Sequence, residues 1–74
     1  MNKARRKRLG EAFDKCAEIL EILEAVKEEE DEAYENLPDS FRDGERGEEM
    51  QGYIEMIDEV TGYIEDAQSI IEQI

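Results

Sequence analysis

The sequence predicts an all-α protein: an antiparallel two-helix hairpin that pairs with a second copy as a dimeric four-helix bundle. Three observations carry this prediction. Apolar residues recur every three to four positions through both halves of the chain, the spacing of one helix face. Ala, Glu, Leu and Lys, all good helix formers, dominate the first half. The only proline lies near the middle, in the stretch "EAYENLPDSFRDGERGEEM", where the chain can stop one helix and start another.

The first helix is expected from about residue 3 to 35. Leu9, Cys16 and Leu23 share one heptad position, with Ala12, Ile19 and Val26 as its partner row, while Phe13, Leu20 and Ile22 flank the stripe. Asp14, Glu21, Glu28 and Glu35 repeat every seven residues on the solvated side. The bend is expected over 36–45. Leu37, preceding Pro38, is pushed out of the helical region. Pro38, Asp39 and Ser40 can then open a single helical turn, with Phe41 pointing back to cap the core. Asp43 or Gly44 can cap the next helix, whose first turn is acidic as the dipole prefers.

The second helix is expected over 46–73. Met50, Ile57, Ile64 and Ile71 form one row, and Tyr53, Val60, Ala67 and Ile74 the next. Met56, Tyr63 and Ile70 add a third row, more than one neighbouring helix can cover, and are assigned to the oligomer interface. A groove on another protein is the alternative cover. The expected core is Leu9, Ile19, Leu23, Ile57, Val60 and Ile64. Gly52 and Gly62 fall outside the stripe, either as surface glycines or where a partner backbone comes close.

Seventy-four residues are expected to form a single domain, too small to be robust without help. Cys16 is the only cysteine, so no disulfide can form within the chain. A lone thiol, no signal-like apolar run after the basic start and no stretch of about 18 apolar residues lead us to expect a cytoplasmic protein outside the membrane. The net charge of −13 is unevenly spread. Lys3, Arg5, Arg6, Lys7 and Arg8 make the first eight residues +5, and four basic against 22 acidic side chains make the remainder −18. Antiparallel packing is expected to set the basic segment beside Glu65, Asp66 and Glu72. The acidic body argues against direct nucleic-acid binding and for basic partners.

Catalysis is not expected. With no histidine, no Ser-His or Cys-His nucleophile can be assembled, and a two-helix rod offers no cavity to shift a carboxylate. No cofactor or metal site is expected: the bundle di-iron pattern needs Glu-x-x-His, and "DSFRDGERGEE" puts Phe41 where a calcium loop needs an oxygen ligand. The strongest functional signal is Glu28, Glu29, Glu30, Asp31, Glu32 and Glu35. These acids crowd the C-terminal end of the first helix, where the dipole prefers cations and like charges repel. Arg42 and Arg46 could fold back to relieve them. Otherwise the cluster is expected to meet a basic partner.

The motifs "AYENLPDSF" and "ERGEEM", followed by an acidic, isoleucine-rich helix, resemble small acidic helical proteins encoded by phages and prophages of Gram-positive bacteria. The likeness runs over about residues 33–74. It implies a mobile-element accessory protein working in the host cytosol, and it carries over no functional residues, because that group has no established activity. Three roles are therefore open: a self-associating protein that binds a basic host protein, a nucleic-acid-mimicking inhibitor of a host defence or nucleic-acid-binding enzyme, and a purely structural or scaffolding hairpin. The mimic is physically credible: eighteen net charges over a rod of ~40–50 Å give one per ~2.5 Å, against one per ~1.7 Å in duplex DNA.

Overall fold

A computed structural model describes residues 1–74, with α1 at Lys3–Glu35, α2 at Asp39–Arg42 and α3 at Glu45–Glu72. The two long helices lie within a residue of the expected bounds, and the single turn α2 sits between them. No helix is long and apolar enough to cross a membrane.

α1 starts at Asn2, whose extended backbone lets its side-chain Oδ1 accept the Arg5 N–H at 2.8 Å. That satisfies one of the amides a helix start leaves free. The helix ends at Asn36, two residues before Pro38. Pro38 is extended, and its carbonyl accepts the N–H groups of Phe41 and Arg42 at 2.9 Å each, which closes α2. Gly44, also extended, is the N-cap of α3 and supplies no side-chain hydrogen bond; Glu45 and Glu48 suit its positive end.

The bend is held by its own contacts. Arg42 donates to Asp39 Oδ1 at 2.6 Å and to the Leu37 carbonyl at 3.4 Å. Gly47 is the one buried residue of the chain, and a Cβ there would overlap the Arg42 backbone. The first turn of α3 therefore lies directly on the bend because residue 47 has no side chain. Phe41 does not cap the core as expected: it is 53% exposed, and the inward residue of the segment is the half-buried Leu37. Arg42 and Arg46 do not fold back onto Glu28–Glu32 either. Arg42 is occupied within the bend and Arg46 makes no ion pair.

α1 and α3 pack as an antiparallel hairpin along one regular seam. On α1 the half-buried residues include Leu9, Phe13, Cys16, Leu20, Leu23, Lys27, Glu30 and Tyr34, alternating steps of four and three. On α3 the seam runs through the buried Gly47 and the half-buried Met50, Ile54, Ile57, Thr61, Ile64, Gln68 and Ile71, the same rhythm in reverse order. Three bonds fix the register. Gln68 Nε2 donates to the Phe13 carbonyl at 3.4 Å, Lys27 pairs with Asp58 at 2.7 Å, and Gln51 donates to the Tyr34 hydroxyl at 2.9 Å. In this register Gly10 lies about level with the end of α3, so Lys3–Arg8 run past it. Arg6 and Lys7 border the end groove with Ile71, Glu72 and Ile74, but the expected pairing with Glu65, Asp66 and Glu72 does not form within 4 Å.

The seam corrects the expected core. Leu9, Leu23, Ile57 and Ile64 lie on it, whereas Ile19 and Val60 are exposed. The partner row of Leu9, Cys16 and Leu23 is Phe13, Leu20, Lys27 and Tyr34 rather than Ala12, Ile19 and Val26. On α3 the partner row is Gly47, Ile54, Thr61 and Gln68 rather than the row of Tyr53. The hairpin is a slab of 58 × 15 × 11 Å in which no apolar side chain is fully buried.

Candidate functional site: two opposite broad faces

Each long helix carries a second apolar stripe, displaced from the seam by one residue. On α1 it runs through Ala12, Ile19, Ile22 and Val26, and on α3 through Tyr53, Met56, Val60, Tyr63, Ala67, Ile70 and Ile74. One residue is about 100° around a helix, so the second stripe points nearly at right angles to the seam. Because the helices run antiparallel, the same displacement turns both stripes toward the same broad side of the slab. Ile22, Met56, Tyr63 and Ile70 are 61–66% exposed there. Met56, Tyr63 and Ile70, expected at an oligomer contact, are thus exposed on this side, together with α1 residues expected in the core or on its flank.

The opposite broad side is acidic. Residues displaced the other way from the seam bring six carboxylates from α1 (Asp14, Glu21, Glu24, Glu28, Asp31 and Glu35) beside five from α3 (Glu48, Glu55, Asp58, Glu65 and Glu72). These eleven are half of the 22 acids in the chain. The apolar side carries only Glu29 and Glu49. Two shallow grooves on the acidic side confirm the arrangement. One is bordered by Glu24, Lys27, Asp58 and Glu65, the other by Asp31, Glu35, Gln51 and Glu55.

The acidic run nominated from sequence is consequently split up. Glu28, Asp31 and Glu35 belong to the acidic face, Glu30 is half-buried at the seam, Glu32 lies on the outer edge and Glu29 points to the apolar side. Consecutive helical residues spread around the axis, so this run does not form one patch. What sequence reading did not assemble is the composite face, in which α3 supplies nearly half of the charge. The signal was present in the heptad rows Asp14–Glu35 and Glu48–Glu55, one on each helix.

Lys27 is the one cation that bridges the helices. Its hydrogen bond to Asp58, then the charges of Asp58 and Asp31, hold its ammonium above the ordinary lysine range. Tyr53 donates to Glu49 Oε1 at 2.9 Å, and that bond and the neighbouring charge push its phenol upward. Cys16 is a half-buried free thiol in the seam. No three carboxylates converge closely enough to hold a metal ion. The grooves are open and shallow, so the arrangement presents surfaces rather than an enclosed reaction chamber.

Fold and faces together define a class: a helical hairpin, apolar on one broad side and acidic on the other. Comparison with known protein families, with curated proteins and with solved structures finds no match.

Proposed function

We propose that this chain is a non-enzymatic interaction protein that self-associates through its apolar face and offers its acidic face to a basic partner protein. The observation that supports this reading is the segregation of the two surface chemistries. Eleven carboxylates share one side, while the exposed Ile22, Met56, Tyr63 and Ile70 share the other. Apolar residues at heptad spacing are covered by helices, and a dense negative face attracts cationic surfaces and speeds their encounter. The resemblance of about residues 33–74 to phage and prophage proteins suggests a mobile-element accessory role, with a basic protein of the host cytosol as the partner.

The test is affinity capture of a basic protein at low salt, compared with a variant carrying Glu28→Gln, Asp31→Asn, Glu35→Gln and Glu55→Gln. Capture that fades as salt rises, and that the variant loses, supports the acidic face as the binding surface. Capture indifferent to both salt and variant would instead indicate apolar scaffolding. A nucleic-acid-mimicking inhibitor makes a further demand: the captured protein must bind nucleic acid, and its nucleic acid must compete with the hairpin.

A further inference from the structure

We infer that the second occupant of the apolar face is another copy of this chain, laid antiparallel so that α1 stacks on α1 of the second copy and the open end of each hairpin covers the bend of the other. This rests on the self-association proposed above and specifies its geometry.

The first ground is angular. A four-helix bundle requires each helix to face two neighbours nearly at right angles. Both α1 and α3 carry two stripes about 100° apart, turned in the same sense, as a second hairpin requires. The surface area agrees. The chain exposes 5888 Å², whereas a compact monomer of this mass would expose about 4,700 Å². The excess of roughly 1,200 Å² exceeds the ~800 Å² per partner of a standard interface.

The second ground is the order of residues along the α1 stripe: Ala12, Lys15, Ile19, Ile22, Val26, Glu29, Ala33. Read backwards from Ile22 it repeats in size and reverses in charge. An antiparallel copy centred on Ile22 sets Ile19 against Val26, Ala12 against Ala33, and Lys15 against Glu29, twice by symmetry. Lys15 is free to turn there, since its only partner is Glu18 at 3.5 Å in an exposed pair. The α3 stripe gives an independent check. The register set by Gln68–Phe13, Lys27–Asp58 and Gln51–Tyr34 places Ile22 level with Gly62. The Thr61–Gly62 step is also the midpoint of the part of the stripe from Tyr53 to Ile70, with Ile74 beyond it level with Glu49 of the second copy. One two-fold axis therefore centres both stripes, with Met56 level with Ala67 and Tyr63 with Val60 of the second copy.

The third ground is the charge at the ends of α1. Its first turn holds no acid and its last turn no base, so both ends oppose the helix dipole. The basic turns Lys3–Arg8 run past α3. In the antiparallel pair they reach over the bend of the second copy, bringing Arg5 and Arg8 to Asp39, Asp43 and Glu49. Stacking open end on open end would instead gather the cations of both copies and set Lys15 over Ile70. The acidic face cannot serve, because stacking it on itself would oppose eleven carboxylates to eleven.

Two measurements test this. In a Cys16→Ser background, Ile22→Cys under mild oxidation should cross-link to itself, and mixing it with Tyr63→Cys should yield that homodimer and no mixed Ile22–Tyr63 species. By sedimentation equilibrium, Lys15→Glu and Glu29→Lys should each weaken dimerisation about tenfold, and the double variant should recover most of that loss. A dimer that cross-links only as the mixed Ile22–Tyr63 species, with no recovery in the double variant, overturns the antiparallel stacking and leaves self-association standing. A chain that sediments as a monomer at high micromolar concentration overturns both, and leaves a groove on another protein as the cover.

Discussion

At the residue scale, the five glycines are not equivalent. Gly47 has the Arg42 backbone where its side chain would be, while Gly62 has open space. Gly47→Ala must push the bend off α3 and should cost about 1–3 kcal/mol, the usual price of overpacking. Gly62→Ala should add about 0.5–1 kcal/mol of stability by restoring helix propensity. Thermal unfolding followed by helical circular dichroism compares the two directly; equal effects would show that the close approach at Gly47 has no energetic consequence. The polar contacts at Lys27 and Tyr53 make stability depend on pH only in the alkaline range. The folded chain holds both protons more tightly than the unfolded chain, whose ordinary values are 10.5 and 10.0. Their stabilisation is therefore intact below about pH 10 and is lost as the pH rises through the raised values. Denaturant midpoints measured across that alkaline window should fall, and should fall less for Asp58→Asn, which is already without the Lys27 pair.

At the element scale, helices, bend and connection order are legible in the sequence because each has a local cause. Asn2 caps α1, Pro38 forbids its continuation and Gly44 opens α3. The seam is less legible. Two stripes one residue apart both satisfy heptad spacing and carry similar numbers of apolar residues, and the one holding Ile19, Val26 and Val60 is left outside. The seam instead accepts Lys27, Glu30, Thr61 and Gln68, residues that apolar counting discards. Their presence has physical reasons. Lys27 reaches Asp58 on the neighbouring helix, Gln68 reaches the Phe13 carbonyl, and Thr61 turns its hydroxyl back to the Ile57 carbonyl at 2.8 Å. A hairpin alone leaves these groups partly wet, so they remain solvated while their stems pack. The charge pattern was legible one row at a time but not as a face. Assembling the face needs the register that only inter-helix contacts such as Gln51–Tyr34 provide.

At the scale of the whole molecule, the hairpin buries too little to stand as a robust unit. Gly47 is its only buried residue, and a second apolar stripe as long as the seam faces outward. On the self-association proposed above, stabilisation comes from the copy that covers that stripe, so folding and association are coupled. For a species in which the folded form is the associated form, mass action makes the melting temperature depend on protein concentration. The melting temperature of the unmodified chain should accordingly climb as concentration rises from low to high micromolar. Tyr63→Glu places a charge in the middle of the α3 stripe without touching the seam, and burying that charge without a partner costs several kcal/mol. It should flatten the concentration dependence and lower the melting temperature most at the high end. Glu59→Gln, on the outer edge of the same helix, should leave the dependence unchanged. If Tyr63→Glu melted identically to the unmodified chain at every concentration, the outward stripe would be contributing nothing to the folded state, and the hairpin would have to be stable alone.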